Sequence, residues 1–384
     1  MSKRVAVLGS TGSIGCNALE VIAHLGPPYR AVALSAHRQT DKLLAQVERH
    51  RPAAVAVSNG ATDELVAKIE RSGAKVYTGE AGLVEMVRRD DIDIVLSAIV
   101  GAAGLPAAFV TVQSGKTLAL ANKESLVVAG SLLIREARKH NAPILPVDSE
   151  HSAIFQAMLA GRRSEVRRVI LTASGGPFRN ASREEMNRAT VDDALKHPTW
   201  RMGNKITIDS ATMFNKGLEL IEACWLFDLE PEQLEVVIHP ESIVHSMVEF
   251  VDGSTIAQLS PPDMRTPIQY ALTSPRRAAG IGRRLDLTQS FQLTFEPPDF
   301  DRFPALKIAY DIARRGGNSG AVMNAANESA VAAFTSGRVA FGEISSLVRS
   351  TIDAIPLQNS PTLDDLLQAD HEARATVKRL IDNN

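Results

Sequence analysis

The sequence has little cysteine, no long apolar run and almost no net charge. Its two cysteines, Cys16 and Cys224, match the usage of a reducing compartment and exclude a disulfide framework. No apolar stretch reaches the roughly 18 residues that span a bilayer, and the first is too short for a signal peptide. With 42 Lys and Arg against 44 Asp and Glu, no basic field favours nucleic acid. We expect a cytoplasmic protein with a small-molecule partner and with no bound membrane or nucleic acid.

In the first part of the chain, predicted strands alternate with predicted helices. Short apolar runs separated by helical patterns are typical of a doubly wound, Rossmann-like parallel sheet in an α/β protein. The seven predicted strands are Val5–Leu8, Ala31–Leu34, Ala53–Val57, Val76–Tyr77, Ile92–Ala98, Thr117–Leu120 and Pro143–Val147. Ligands of such sheets bind at the carboxyl ends of the strands, so the residues that follow each strand are the informative ones.

The 384 residues exceed the roughly 250–300 at which a single core stops growing, so several domains are expected. We predict a nucleotide-binding domain over 1–148, a central α/β domain with a mixed or antiparallel sheet over 149–273, a linker over 274–300 and a C-terminal helical bundle over 301–384. The central strands are Val169–Ala173, Glu235–His239, Val244–Val251 and Ser254–Leu259, and the terminal helices are Pro304–Arg314, Ala321–Phe334, Phe341–Ile355 and Thr362–Ile381. An exposed antiparallel sheet at the hairpin Asp252-Gly253 could mediate formation of a homodimer.

A glycine-rich loop follows the first strand and opens the first helix. Its residues, with glycines spaced G-x-x-G-x-x-G, are Gly9, Thr11, Gly12, Ser13, Ile14 and Gly15. In this context glycines let the backbone approach a pyrophosphate at a helix N-terminus. Because the spacing differs from G-x-G-x-x-G, a structural tight turn is the alternative to nucleotide binding.

The loop after the second strand indicates which cofactor is used. An acidic residue there would bind the ribose 2′-hydroxyl of NAD, whereas an arginine suits a 2′-phosphate. The sequence offers His37, Arg38 and Gln39 and no carboxylate, so we expect NADP rather than NAD, chiefly because of Arg38. The alternative is that Arg38 is an ordinary surface cation.

Three carboxylates indicate a divalent metal ion. Asp148 and Glu150 stand two apart at a strand end, so in an extended chain they would point the same way. With Glu219 they would supply three hard oxygen ligands, which suit Mg²⁺ or Mn²⁺. For Asp148 and Glu150, capping of a helix that begins near Ser152 is the alternative.

The stretch from His197 to Glu222 concentrates polar side chains. Its second half predicts a helix that buries Leu218, Ile221 and Trp225 and leaves Glu219 on a flank. The start of that helix, where backbone donors and the dipole favour a phosphate, contains Asp209, Ser210, Asn215 and Lys216. A capped helix start with a solvated lysine is the alternative.

Two loops add candidate contacts. Ser174 begins a Ser-Gly-Gly-Pro-Phe loop that is either an anion-binding nest or an ordinary turn. The loop from Lys196 to Asn204 contains His197, Trp200 and Gly203 and could act as a lid that excludes water. Trp200 could instead be a hydrophobic anchor.

Five motifs in this order resemble the 1-deoxy-D-xylulose 5-phosphate reductoisomerase family over essentially the whole chain. They are Gly9–Gly15, Ala121–Ser125, Pro146–His151, Thr172–Phe178 and Ile208–Glu219. The resemblance implies an NADPH-dependent enzyme of non-mevalonate isoprenoid synthesis that converts 1-deoxy-D-xylulose 5-phosphate to 2-C-methyl-D-erythritol 4-phosphate. The loop after the second strand departs from the family, which often has Gly-x-Asn where this chain has His37-Arg38-Gln39.

The same resemblance implies a role for each group of residues. Asp148, Glu150 and Glu219 would hold Mg²⁺ or Mn²⁺. The implied substrate contacts are Lys123, Ser149, Glu150, Ser174, His197, Trp200, Ser210, Asn215 and Lys216, of which Trp200 matches a mobile lid. The implied NADPH contacts are the glycine loop from Gly9 to Gly15, His37, Arg38, Gln39, Asn122, Glu124 and Gly203. Glu150, Lys123 and His197 are the candidate catalytic residues, with Glu150 as proton acceptor.

The chemistry implied is a retro-aldol cleavage and recombination, followed by hydride transfer from NADPH, with the metal ion as Lewis acid. Two alternatives are a metal-independent NADP-dependent dehydrogenase of another phosphorylated substrate and a non-catalytic NADP-binding sensor. A semialdehyde type of dehydrogenase would need a reactive cysteine, and Cys16 and Cys224 both lie in predicted helices. A short-chain type would need Tyr-x-x-x-Lys, which none of the four tyrosines provides.

Overall fold

The computed structural model describes residues 3–383 and contains two β-sheets. The first sheet has seven parallel strands in the order β4-β3-β2-β1-β5-β6-β7. The strands are β1 Lys3–Leu8, β2 Tyr29–Ala36, β3 Ala54–Val57, β4 Lys75–Thr78, β5 Ile94–Ser97, β6 Thr117–Leu120 and β7 Ile144–Pro146. All seven predicted strands are confirmed, and the order reverses between β1 and β5, as in a doubly wound sheet.

Burial on both faces explains why these strands have continuous apolar sequences. In β1, Val5 and Val7 pack into one hydrophobic cluster, whereas Ala6 and Leu8 pack into another. Burying each Val or Leu side chain contributes about 1.5–3 kcal/mol. The helices between the strands are α1 Ser13–Leu25, α2 Thr40–His50, α3 Asp63–Arg71, α4 Gly79–Val87, α5 Leu105–Gln113 and α6 Glu124–Lys139.

The second sheet is mixed, as predicted. Its order is β11-β10-β8-β9, with β8 antiparallel to β10 and parallel to β9. The strands are β8 Val166–Ala173, β9 Leu234–Ile238, β10 Val244–Phe250 and β11 Thr255–Leu259. The antiparallel pair β10 and β11 forms the expected hairpin, and β11 is an edge strand with half-exposed side chains.

The rest of the described chain contains ten further α-helices. Those before the C-terminal bundle are α7 Ser149–Ala157, α8 Arg183–Asn187, α9 Val191–Ala194, α10 Asn204–Thr212, α11 Phe214–Phe227 and α12 Arg265–Thr273. The four predicted terminal helices are confirmed as α13 Pro304–Arg315, α14 Ser319–Thr335, α15 Glu343–Ala354 and α16 Leu363–Asp382.

The chain forms two compact units, each assembled from separate segments. The first contains the residues up to 122, 133–152 and 263–283, and the second contains 123–132, 153–262 and the residues from 284 on. The predicted domain boundaries at 148, 273 and 300 stay a prediction. Residues 274–300 lack helices and strands apart from a single bridge between Glu296 and Ile238.

Three local expectations are wrong. β7 ends at Pro146 and α7 begins at Ser149, so Asp148 and Glu150 lie at a helix start and not in an extended segment. Asp209 and Ser210 lie inside α10, which is separated from α11 by Met213 with a φ of 66°. Because α11 is packed on nearly every side, Glu219 is only 1% exposed and does not lie on a flank.

Gly320→Ala tests the close packing of α14 on α6. A Cβ at Gly320 would lie 2.1 Å from the Val127 carbonyl oxygen. We expect the substitution to lower the free energy of unfolding by about 1–3 kcal/mol through overpacking, although alanine favours helix. The exposed Ala332→Gly on the same helix is the control for propensity alone and should cost about 1 kcal/mol. Denaturant unfolding measures both, and a stabilised Gly320→Ala would contradict the packing.

Candidate active site

Close backbone contacts shape the glycine loop between β1 and α1. Gly9 has a φ of 73°, and a Cβ on it would lie 2.6 Å from the Ala98 carbonyl oxygen. A Cβ on Gly15 would lie 2.3 Å from the Gly9 carbonyl oxygen, so the first turn of α1 packs directly on the loop. The N-cap residue, Gly12, has no side chain to cap the helix. The loop is therefore a backbone cradle that suits a pyrophosphate.

Side chains of β2 and α2 hold this loop from behind. The Gly9 N–H donates to Ser35 Oγ at 3.0 Å. From α2, Lys42 Nζ donates to the Thr11 carbonyl oxygen at 2.8 Å, and Gln46 Nε2 donates to the Ser10 carbonyl oxygen at 2.8 Å. Sequence reasoning missed Lys42 and Gln46, whose i, i+4 spacing on the helix after the cofactor loop was the available signal.

The predicted determinants of cofactor choice lie in the neighbouring loop. His37, Arg38 and Gln39 are exposed between β2 and α2, and β2 is paired with β1. His37 Nδ1 lies 3.0 Å from Ser58 Oγ. Since the two loops follow adjacent parallel strands, the first unit brings the glycine loop and Arg38 to the same edge of its sheet. Asn122, which follows β6, donates from Nδ2 to the Gly101 carbonyl oxygen at 2.9 Å.

Asp148 and Glu150 lie in the turn that begins α7, and their contacts are compatible with both helix capping and metal binding. Asp148 Oδ1 accepts a hydrogen bond from the Glu150 N–H at 3.1 Å, as a capping carboxylate does, and lies 3.3 Å from His151 Nδ1. Ser149 Oγ donates to Glu150 Oε2 at 2.6 Å. A carboxylate offers about four lone-pair sites, so the cap does not exclude coordination of a cation.

Glu219, in the second unit, is a buried carboxylate surrounded by donors. Its Oε1 accepts from Lys123 Nζ at 2.9 Å and from Asn215 Nδ2 at 2.6 Å, and its Oε2 pairs with Lys216 Nζ. The two lysine side chains are 6% and 4% exposed. Because two ammonium groups surround one carboxylate, the group has a net positive charge that suits an anionic substrate.

The second unit also brings His197 to Ser174, and the loop after β8 to the backbone of Ser210. Ser174 Oγ lies 3.0 Å from His197 Nε2 and accepts from the Gly176 N–H at 3.2 Å. Gly176 has a φ of 65°, and a Cβ on it would lie 2.7 Å from the Ser210 carbonyl oxygen. Only glycine therefore allows the loop after β8 to lie this close to α10.

The hydrogen bonds of His197 define which ring nitrogen carries the proton. Nδ1 accepts from the backbone N–H groups of Thr199 at 3.1 Å and Trp200 at 2.9 Å, so the proton is on Nε2, which donates to Ser174 Oγ. Burial lowers the pKa of His197 and favours this neutral form. Since Ser174 Oγ accepts from His197 Nε2 and from the Gly176 N–H, its own hydrogen can be donated to another group.

Asp209 does not contribute to a helix-start anion site. Its carboxylate pairs with Lys205 Nζ at 2.6 Å and accepts from Asn327 Nδ2 at 2.9 Å. Sequence reasoning missed Lys205, because its i, i+4 relation to Asp209 is informative only once α10 is recognised as a helix. Through its bond to Asp209, Asn327 joins α14 to α10.

Family models match most of the chain. The model described as 1-deoxy-D-xylulose 5-phosphate reductoisomerase matches residues 5–130, and two models of the C-terminal domains of this reductoisomerase match 144–227 and 259–376. The reductoisomerase of Chlorobaculum tepidum is 49% identical over 381 residues, which cover 99% of this chain and 100% of that protein. The chain belongs to the 1-deoxy-D-xylulose 5-phosphate reductoisomerase family.

Solved reductoisomerase structures confirm the fold. The Zymomonas mobilis enzyme in complex with NADPH has a TM-score of 0.93 and 42% sequence identity, over 100% of both chains. A reductoisomerase in complex with NADPH, fosmidomycin and magnesium has a TM-score of 0.92 and 41% identity, over 99% of this chain and 98% of that one. The family expected from the five motifs is confirmed.

Burial and backbone contacts define the environments of Cys224, His239 and His245 in this reductoisomerase. Burial raises the pKa of the Cys224 thiol to about 12, which makes it a poor nucleophile for a semialdehyde-type mechanism. His239 Nδ1 lies 2.8 Å from the Thr294 carbonyl oxygen and His245 Nε2 lies 3.1 Å from that of Ser260, so both imidazoles contact the backbone of neighbouring segments. Within residues 3–383, no helix combines the length and the apolar character needed to cross a lipid bilayer.

His197→Asn and His197→Gln separate the two hydrogen-bonding roles of the imidazole. The asparagine oxygen can replace the Nδ1 acceptor for Thr199 and Trp200, whereas the glutamine amide can replace only the Nε2 donor. We expect tryptic cleavage after the exposed Arg201 to accelerate about 30-fold in His197→Gln, since two hydrogen bonds of about 1 kcal/mol each are lost. His197→Asn should be cleaved at nearly the wild-type rate.

In the wild-type chain, tryptic cleavage after Arg201 should also accelerate as the pH falls. Because the pKa of His197 is lowered in the folded chain, the folded state binds fewer protons, and its stabilisation is lost on acidification below the ordinary histidine range. His197→Asn should lack this acid-dependent increase in cleavage. Equal rates of cleavage of His197→Asn and His197→Gln at neutral pH would contradict the assignment of the proton to Nε2.

Proposed function

We infer that the chain is an NADPH- and divalent-metal-dependent enzyme that converts 1-deoxy-D-xylulose 5-phosphate to 2-C-methyl-D-erythritol 4-phosphate in non-mevalonate isoprenoid synthesis. The observation that carries this function is full-length identity of 49% with a reductoisomerase, in a fold that matches the NADPH complex at a TM-score of 0.93. When bound, NADPH supplies the hydride and the divalent ion supplies Lewis acidity.

We propose that the first unit holds the NADPH phosphates. The cradle at Gly9 and Gly15, which a Cβ would fill, and the uncapped start of α1 fit a pyrophosphate. Arg38, exposed beside that loop, fits the 2′-phosphate. The proposed contacts are Gly9, Thr11, Gly12, Ser13, Ile14, Gly15, His37, Arg38, Gln39, Asn122, Glu124 and Gly203.

The proposed ligands of Mg²⁺ or Mn²⁺ are Asp148, Glu150 and Glu219. Their carboxylate oxygens are the hard donors that these ions prefer. Asp148 and Glu150 lie in the turn that begins α7, and Glu219 lies in α11. A reductoisomerase that is 40% identical to this chain has been solved in complex with magnesium, which supports a metal site of this type.

The side chains around Glu219 and Ser174 are the proposed substrate site. Lys216, Asn215, Ser174, Ser210 and His197 would bind the phosphate end, where the positive charge and the Ser174 hydroxyl suit an anion. Lys123 and Ser149 would contact the carbon chain. Such contacts with the non-reacting phosphate can supply binding energy that orients the reacting carbons.

Glu150 is the proposed proton acceptor, because the Ser149 hydroxyl donates to its Oε2 at 2.6 Å and can relay a proton over hydrogen-bond distance. Lys123 and His197 complete the proposed catalytic residues. The loop with Trp200, which His197 Nδ1 organises, would cover the substrate and exclude water.

We further propose a cytoplasmic homodimer that uses neither nucleic acid nor a membrane. Cys16 and Cys224 are free thiols, as in a reducing compartment. The edge strand β11 exposes Ile256 and Leu259 at 39% and 38%, a surface that pairing with a second copy would cover.

Removal of the metal ion tests the reaction directly. We expect NADPH absorbance to fall when 1-deoxy-D-xylulose 5-phosphate and Mn²⁺ are added, and a chelator to abolish the change. Glu219→Gln should lower kcat/KM at least about 1000-fold, since a lost metal ligand removes several kcal/mol of transition-state stabilisation. The exposed Glu64→Gln is the control. Turnover that persists with the chelator would favour a metal-independent dehydrogenase, and no turnover with bound NADPH would favour a sensor.

Arg38→Asp tests the choice of cofactor. We expect it to raise the KM for NADPH about 100-fold and to lower that for NADH, because a carboxylate repels the 2′-phosphate and accepts from a 2′-hydroxyl. Arg49→Asp, an exposed site on α2, makes the same change of charge and controls for long-range electrostatics. Unaltered NADPH affinity in Arg38→Asp would show that Arg38 is an ordinary surface cation.

A further inference from the structure

Lys205 is a largely buried cation in the second unit that the reaction described above does not use. It is the second residue of α10, and its side chain is 21% exposed. Its Nζ lies 2.6 Å from Asp209 Oδ2, one turn further along the same helix, and 3.4 Å from Glu124 Oε1. Burial opposes its charge, but Asp209 and Glu124 hold the pKa of Lys205 above the usual lysine value.

Lys205 and its partner Glu124 lie at the starts of two helices that carry proposed site residues. Glu124 is the first residue of α6 and follows Lys123, which contacts Glu219. α10 begins directly after Gly203, at the end of the loop that contains His197 and Trp200. One ammonium group therefore joins the segment with a proposed NADPH contact to the end of the proposed lid.

The other partner fixes this arrangement to the helical bundle. Asp209 is 1% exposed and accepts from Asn327 Nδ2 of α14 at 2.9 Å. The Asp209 carboxylate is thus held by donors of α10 and α14, so Lys205 is anchored on one side and pairs with Glu124 on the other. A buried ion pair is weak support for a purely stabilising role, since apolar replacements are often as stable.

We propose that Lys205 is a positioning residue, which orients the Glu124 carboxylate for NADPH and ties the end of the 197–203 loop to the same segment. This inference rests on the proposed function, because it needs Glu124 to contact the cofactor. Lys205 itself touches neither cofactor nor substrate in this account and acts through Glu124.

Three variants separate positioning from packing. Lys205→Met removes the ammonium group and keeps much of the side-chain volume. Because burial raises the pKa of the Asp209 carboxyl, that group can take up a proton when Lys205 is lost, and Lys205→Met/Asp209→Asn removes the buried charge altogether. Arg374→Met is the matched control, since Arg374 also pairs with two carboxylates, Glu328 of α14 and Asp370.

Two quantities are measured for each variant. The first is the Kd for NADPH, from the fluorescence of the bound nucleotide in solutions that contain no metal ion and no sugar phosphate. The second is the Tm. We expect the Kd to rise about tenfold in Lys205→Met and in the double variant, the loss typical of one hydrogen bond to a charged group. The double variant should recover Tm but not affinity. Arg374→Met should leave the Kd unchanged, whatever its Tm.

A double-mutant cycle with Glu124→Gln shows whether Lys205 acts through Glu124. In the Glu124→Gln background, Lys205→Met should cause no further loss of NADPH affinity. An unchanged Kd in Lys205→Met, restored affinity in the double variant with Asp209→Asn, or additive losses in the cycle would overturn the inference while the proposed function stands. A wild-type chain that fails to bind NADPH would overturn both.

Discussion

The buried charge of Glu219 is the constraint on which the second unit of this reductoisomerase depends. A carboxylate with 1% exposure needs partners, because breaking a buried ion pair costs about 3–5 kcal/mol. The partners come from two places in the chain, Lys123 at the start of α6 and Lys216 and Asn215 in the first turn of α11. Packing these helices together therefore also assembles the proposed substrate site. The excess positive charge that keeps Glu219 buried is the charge that a phosphorylated substrate requires.

The alternating pattern of the first 147 residues was sufficient to predict the seven strands and their parallel arrangement. Strands buried on both faces are apolar throughout, and their alternation with helical segments is typical of a parallel sheet. α10 was not predicted, because Ile206, Thr207 and Ile208 are β-branched and have low helix propensity. Tertiary packing overrides that preference. The break at Met213 was equally invisible, since a positive φ at a non-glycine residue has no sequence signature.

The candidate site was predictable as a set of residue types but not as an arrangement. Acidic, basic and hydroxyl groups after successive strands indicated metal, phosphate and nucleotide chemistry, whereas the particular sugar phosphate came from the resemblance to the family. Glu219 was assigned to a flank because charged residues are rarely buried. Lys42 was missed because Thr11, whose carbonyl oxygen it contacts, is remote in sequence. Lys205 was missed because α10, which places it one turn from Asp209, was not predicted.

Bound anions would complete both units, because the glycine loop of the first fits the phosphates of NADPH and the lysines around Glu219 in the second fit a sugar phosphate. Anomalous diffraction from crystals grown with Mn²⁺ tests the proposed metal site most directly. A single peak bonded to oxygens of Asp148, Glu150 and Glu219 at about 2 Å is expected. A peak bound instead by Asp148, His151 and Glu222, or no peak near Glu219 at saturating Mn²⁺, would contradict the account.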